Sequence, residues 1–164
     1  LIRAFATIAD RHNARLLIAG DGVERPALEK TVADLGMTDR VVFTGHVEHP
    51  EKVYPLMDIF AISSDTEQMP NTLIQAMAAS RPVAGVDVGD VKANLSPVNR
   101  AEIVAKTDEP GFAAVLDRLL ADQKLRQTLS VANRTHVVEQ YSSERMFMNY
   151  GQIFDEALSA VPRS

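Results

Sequence analysis

The sequence predicts an α/β fold, a parallel sheet flanked by helices, followed by a helical C-terminal tail. Three observations carry this. Short apolar runs alternate with helical patterns over the first two thirds of the chain, as in a parallel sheet covered on both faces. From Glu109 onward only apolar residues at three- and four-residue spacing remain. At 164 residues and 46% hydrophobic, the chain is long enough for one buried core and about one domain.

The elements follow in order. Residues 1–9 open on an amphipathic helical pattern, Leu1, Ile2, Phe5 and Ile8, with no strand before it. A first strand is predicted over 15–19, then the turn Gly20-Asp21-Gly22 and a helix over 26–35, with Pro26 in its first turn and Gly36 at its end. A second strand over 41–44 leads to a short helix over 50–56. A third strand over 58–63, a helix over 71–79 and strands over 83–86 and 102–105 complete the sheet. The tail is expected as helices over 112–120, 124–138 and 143–158, with Asp122 and Ser142 or Ser143 as caps. Ligands of open parallel sheets bind at the carboxyl ends of the strands. Gly20, Gly45 and Ser64 all fall there, so three loops are expected to converge on one crevice.

Bulk features exclude several partners. The net charge is −5 and the 17 basic residues are scattered, which gives no patch for nucleic acid or an anionic membrane. The absence of cysteine excludes disulfides and thiolate metal sites. His12, His46, His49 and His136 lack metal-ligand spacing, so no metal site is expected. No apolar run approaches the roughly 18 residues of a membrane span, nothing resembles a signal peptide, and a soluble cytoplasmic domain is the expectation. Neither an internal repeat nor a low-complexity segment is present.

Residues 63–83 carry most of the functional information. A strand end, a polar loop holding Glu67 and a helix opening at Asn71 form a ligand site, because unpaired N–H groups and the positive end of a helix dipole suit a phosphate or other anion. Glu67 stands where it can accept hydrogen bonds from hydroxyl groups, and it reads also as a solvated loop acid or a helix cap. The run resembles the donor-binding signature of retaining glycosyltransferases of family 4 with the GT-B fold: a glutamate, seven residues and a second glutamate, then Ala-Met-Ala, a small residue and Pro-Val. Glu67 matches the first glutamate, and Ala76, Met77, Ala78, Pro82 and Val83 match the segment after it. Gln75 occupies the second glutamate's place, and Ser80 stands where the family usually has glycine.

The resemblance implies the second of two Rossmann-like domains, one half of a GT-B fold. Residues 1–164 are then a nucleotide-sugar-binding C-terminal glycosyltransferase domain, with the N-terminal acceptor domain of the same protein absent. A loop carrying an arginine and a lysine that bind the diphosphate would lie upstream of Leu1. The implied partner is a nucleotide-sugar, which as a nucleotide-diphosphate sugar is the donor substrate; no cofactor is implied. Glu67 would contact hydroxyls of a hexose-type sugar and is the catalytic candidate. The backbone of Gln68, Met69, Pro70 and Asn71 would touch sugar and phosphates, with Asn71 and Thr72 N–H groups facing the diphosphate or, read more simply, capping their helix. Val47 would meet the nucleobase through its backbone. Gly20 and Gly22 would line the nucleotide side, although a Gly-Asp-Gly turn serves any tight strand-to-helix connection.

Gln75 would bind the ribose hydroxyls without the charge of a carboxylate, at a loss on the order of 1 kcal/mol. Natural variation, drift toward a non-catalytic homologue and an introduced substitution are the competing explanations. Ser80 would cost roughly 1 kcal/mol if the helix end keeps a left-handed residue there. Arg81 reads as a solvated cation near that helix end. The implied chemistry is retaining, metal-independent sugar transfer, with the isolated fragment inactive and any peripheral membrane association residing in the absent part. A degenerate, non-catalytic domain acting as a nucleotide-binding or scaffold module is the alternative. The last helix would pack across the cleft onto the first domain, leaving Met146, Phe147, Tyr150, Ile153 and Phe154 without their usual partner.

Overall fold

The computed structural model describes residues 1–160, in which five parallel strands alternate with helices in the expected order. β1 (Leu16–Ala19) pairs with β2 (Val41–Gly45), Leu16 opposite Val41 and Ile18 opposite Phe43. β3 (Phe60–Ile62), β4 (Val83–Asp87) and β5 (Ile103–Ala105) pair in that order, Phe60 opposite Val83 and Gly85 opposite Ile103. The strands therefore form a two-stranded and a three-stranded sheet, and among the described residues no ladder joins β1 to β3. Burial follows pairing. Val83 to Val86 of β4, flanked on both sides, are buried, whereas Leu16, Leu17 and Ile18 of β1 are only half-buried.

The opening helical pattern splits into α1 (Ile2–Ala6) and α2 (Ala9–His12), because Ile8 leaves helical geometry at φ −122° and ψ −16°. Asn13, left-handed at φ 47°, ends α2. α1 buries Ile2 and Phe5 in one cluster with Phe112, Leu116 and Leu119 of α6 (Glu109–Ala121). α3 (Arg25–Asp34) carries Pro26 in its first turn and contributes Val32. The helix expected over 50–56 is two 3-10 turns, Pro50–Lys52 and Tyr54–Leu56, since Pro55 lacks the N–H that a continuous helix needs there.

α4 (Asn71–Ala78), the short α5 (Val91–Asn94) and a 3-10 turn (Pro97–Glu102) surround β4. α7 (Gln123–Tyr141) packs along α4, and α8 (Ser143–Ala160) follows. The Asp122 carboxylate accepts the Leu125 N–H at 2.8 Å and the Ser142 hydroxyl accepts that of Arg145 at 3.3 Å, so both expected caps form. Asp108 caps α6 in the same way, on the Gly111 N–H at 2.8 Å. The apolar face of α8 is uncovered, with Phe147 69% and Phe154 64% exposed. Among the described residues no helix is long and apolar enough to cross a membrane.

Candidate functional site

α4 starts without a side-chain cap. Pro70 is its N-cap, and its carbonyl accepts the N–H groups of Leu73 at 3.0 Å and Ile74 at 3.3 Å. Among the described residues the N–H groups of Asn71 and Thr72 at the first turn have no backbone or side-chain acceptor, and they stand at the positive end of the helix. Neither side chain caps the helix, so the simpler expectation for these two residues does not hold.

The loop before α4 is fastened from below. Gly89 is left-handed at φ 49°, and a Cβ placed there would lie 1.8 Å from the Glu67 carbonyl oxygen, so only glycine allows the approach. Beside it the Asp90 N–H donates to the Gln68 carbonyl at 3.1 Å. Lys106 reaches Asp65 across 3.3 Å. Gly89, Asp90 and Lys106 escape sequence-based reasoning, although they follow the carboxyl ends of β4 and β5, where the strand-end rule points.

The proposed site residues fall into three neighbourhoods. Gly20, Val47 and Thr72 line a cavity of about 890 Å³ between β1 and β3, with His46 beside Val47. Met69 and Asn71 line a second cavity of about 450 Å³, closed by Tyr141, Met146 and Tyr150 of the α7–α8 elbow. Glu67 and Gln68 rest on the Gly89–Asp90 turn and line neither cavity. Of the three loops expected to converge, Gly20 and Gly45 meet directly, the Gly20 N–H donating to the Gly45 carbonyl at 3.0 Å, while Ser64 lines neither cavity. Gly22 also stands apart: its N–H is taken by the Asp21 carboxylate at 2.8 Å, and Asp21 is held by Arg25 at 3.1 Å.

Gln75 is exposed, and its Oε1 accepts the Tyr54 hydroxyl at 2.8 Å. Burial pushes the Tyr54 phenol above its ordinary value, which keeps it a donor. Below the site, Ser80 has φ 60° and α4 ends in a Schellman motif, Arg81 N–H to Ala76 carbonyl and Ser80 N–H to Met77 carbonyl, both 2.9 Å. Arg81 is not a solvated cation. Its guanidinium donates to the Ala79 carbonyl at 2.8 Å and the Met57 carbonyl at 2.6 Å, because the planar fork reaches two acceptors left open at the end of α4 and after the 3-10 turn that precedes β3. No group of three or more His, Cys, Asp or Glu side chains converges among the described residues.

Unpaired amides at a helix start and a fastened carboxylate loop stand beyond the carboxyl ends of the strands of a parallel α/β protein, where such folds bind their ligands. The chain belongs to the glycosyl transferases group 1 family, whose profile matches residues 1–122. It is similar to N-acetyl-α-D-glucosaminyl L-malate synthase of Bacillus anthracis, 28% identical over 158 residues that cover 96% of this chain and 42% of that protein. Among solved structures it is similar to sucrose-phosphate synthase from Thermosynechococcus elongatus, with a TM-score of 0.82, 25% identity and coverage of 98% of this chain and 43% of that one. HepE of Anabaena, solved in complex with UDP, has the same fold at a TM-score of 0.83 and 18% identity, covering 98% of this chain and 44% of that one. The architecture is that of a GT-B glycosyltransferase domain, and the chain spans less than half the length of these proteins.

Proposed function

We propose that residues 1–164 form the C-terminal, donor-binding domain of a family 4 retaining glycosyltransferase, which moves a hexose-type sugar from a nucleotide-sugar to an acceptor without metal or cofactor. The observation that carries this reading is the pair of outward amides of Asn71 and Thr72 beside the fastened Glu67 loop. In this reading those amides hold the diphosphate and stabilise the charge that develops on it as the sugar leaves. Glu67 holds sugar hydroxyls, with the backbone of Gln68, Met69 and Pro70 alongside. The nucleoside lies toward Gly20 and Val47, its base on the Val47 backbone and its ribose on Gln75. The acceptor belongs to a separate N-terminal domain, so the isolated chain binds donor weakly and transfers nothing. The parent enzyme works in the cytoplasm in glycan biosynthesis, peripheral to the membrane if associated with it at all. The presence of UDP in HepE supports a nucleotide ligand.

One observation favours a second reading, a non-catalytic nucleotide-binding or scaffold module. The Gln75 Oε1 already accepts from Tyr54, so this position offers amide donors where a carboxylate would accept two ribose hydroxyls. Calorimetric titration with UDP, GDP and ADP tests the nucleotide site, and sugar transfer by the longer protein separates the enzyme from the non-catalytic module. Binding of one of them, tightened about fivefold by Gln75→Glu in line with a gain on the order of 1 kcal/mol, supports the donor site. No binding by any of the three, or a nucleotide-sugar affinity indifferent to Glu67→Ala, would sink it. Sugar transfer by residues 1–164 alone would refute their inactivity.

A further inference from the structure

The face of α4 that carries the Asn71 and Thr72 amides continues one turn on at Gln75, three residues after Thr72 and four after Asn71. Helical side chains lean toward the amino end of their helix, so the exposed Gln75 side chain covers the turn of those amides. An anionic ligand seated on the amides therefore presents its next atoms to Gln75. What Gln75 offers them is decided by Tyr54 behind it.

Tyr54 opens the second 3-10 turn and is only 5% exposed, its ring edge to face with that of Phe60 at 6.0 Å. A phenol fixed in this way turns its proton to the one partner its oxygen has among the described residues, the Gln75 Oε1 at 2.8 Å. The reversed amide would point its own donors at the phenol oxygen and leave the phenol proton without an acceptor, so Gln75 is set with oxygen inward and nitrogen outward. Burial raises the Tyr54 pKa, which keeps that proton in place at neutral pH.

An outward nitrogen reads a pair of hydroxyls differently from a carboxylate. The lone pairs of a carboxylate accept the protons of two neighbouring hydroxyls together, with charge assistance. The hydrogens of an amide nitrogen diverge, so one N–H meets one oxygen of the pair, and no acceptor is left for the proton of the other. The 3′-oxygen, which ribose and 2′-deoxyribose share, satisfies that single donor. A 2′-hydroxyl then exchanges water for no better partner, and its presence adds little to binding.

We infer that the Tyr54–Gln75 pair makes the site indifferent to the 2′-hydroxyl of its nucleotide, so that it takes 2′-deoxyribonucleoside diphosphate sugars as readily as ribonucleoside ones. This holds within the donor-site reading, in which the ribose lies on Gln75. Tyr54 is a positioning residue that acts through Gln75, and the selectivity belongs to this chain's glutamine, since a glutamate in its place would keep one oxygen for Tyr54 and turn a charged acceptor to the sugar.

Calorimetric titration of the protein with UDP, GDP and ADP, each beside its 2′-deoxy counterpart, tests it. Whichever pair binds should show affinities within about twofold of one another. Gln75→Glu, which supplies the outward acceptor, and Tyr54→Phe, which frees Oε1 to turn outward, should each shift that ratio toward the ribonucleotide by about threefold or more, within the worth of one hydrogen bond. Tyr54→Phe keeps the ring and its packing, and a purely structural tyrosine would weaken both nucleotides alike without moving their ratio. A preference beyond about twofold for either form in the unsubstituted protein, or a ratio that either substitution leaves unmoved, overturns the indifference while the donor site stands. Binding of none of these nucleotides overturns both.

Discussion

Gly89 decides more about the candidate site than its place in a surface turn suggests. Any side chain there collides with the Glu67 carbonyl, and its left-handed backbone costs a non-glycine residue about 1–2 kcal/mol besides. Gly89→Ala should therefore weaken nucleotide-sugar binding tenfold or more, read by calorimetry, while the helices stay folded by circular dichroism. At Ser80 the strain is already present. With φ 60° kept in a Schellman end, Ser80→Gly should stabilise the fold by about 1 kcal/mol in urea denaturation. The second effect was legible in the sequence, because the matched pattern asks for glycine at that position. The first was not, since one glycine between Val88 and Asp90 carries no sign of which loop rests upon it.

At the scale of elements, periodicity named the strands and the long helices but passed over 88–102. Val88, Val91 and Leu95 of that stretch are buried in the core, but its helix spans only Val91–Asn94, too short for a period to stand out, and polar groups hold the rest. The Asn99 side chain acts as a strand partner for Val83, accepting its N–H at 3.0 Å and donating to its carbonyl at 2.7 Å. Asn133 of α7 donates to Asn99 Oδ1 at 2.7 Å and to the Arg81 carbonyl at 3.0 Å, and accepts from the Ser96 hydroxyl at 2.6 Å. Each member is buried, and an orphaned one costs about 1–3 kcal/mol. Asn133→Ala should lower the unfolding free energy by about 3 kcal/mol, visible as a fall in the urea midpoint, and Asn133→Asp should do no better for want of the two donors.

Across the whole molecule, alternating apolar runs and the tail of helices gave the fold class, while the division into two sheets left no trace, because strand order is written in pairing and not in composition. Two tyrosines set a global pH limit. Burial raises the folded-state pKa of Tyr54 and of Tyr141, so their contribution to stability is complete below the unfolded value of about 10 and is lost as pH rises through the folded values. Melting temperature should be insensitive to these groups near neutrality and should decline above pH ~10, less steeply in Tyr54→Phe. The same Tyr54 hydroxyl bound to Gln75 has an optical consequence. With no tryptophan and only three tyrosines in the sequence, near-ultraviolet emission comes from very few rings, and one of them touches the residue placed to meet the ribose. A nucleotide that draws Gln75 away changes the light this protein emits, so occupancy of the cleft announces itself without a label.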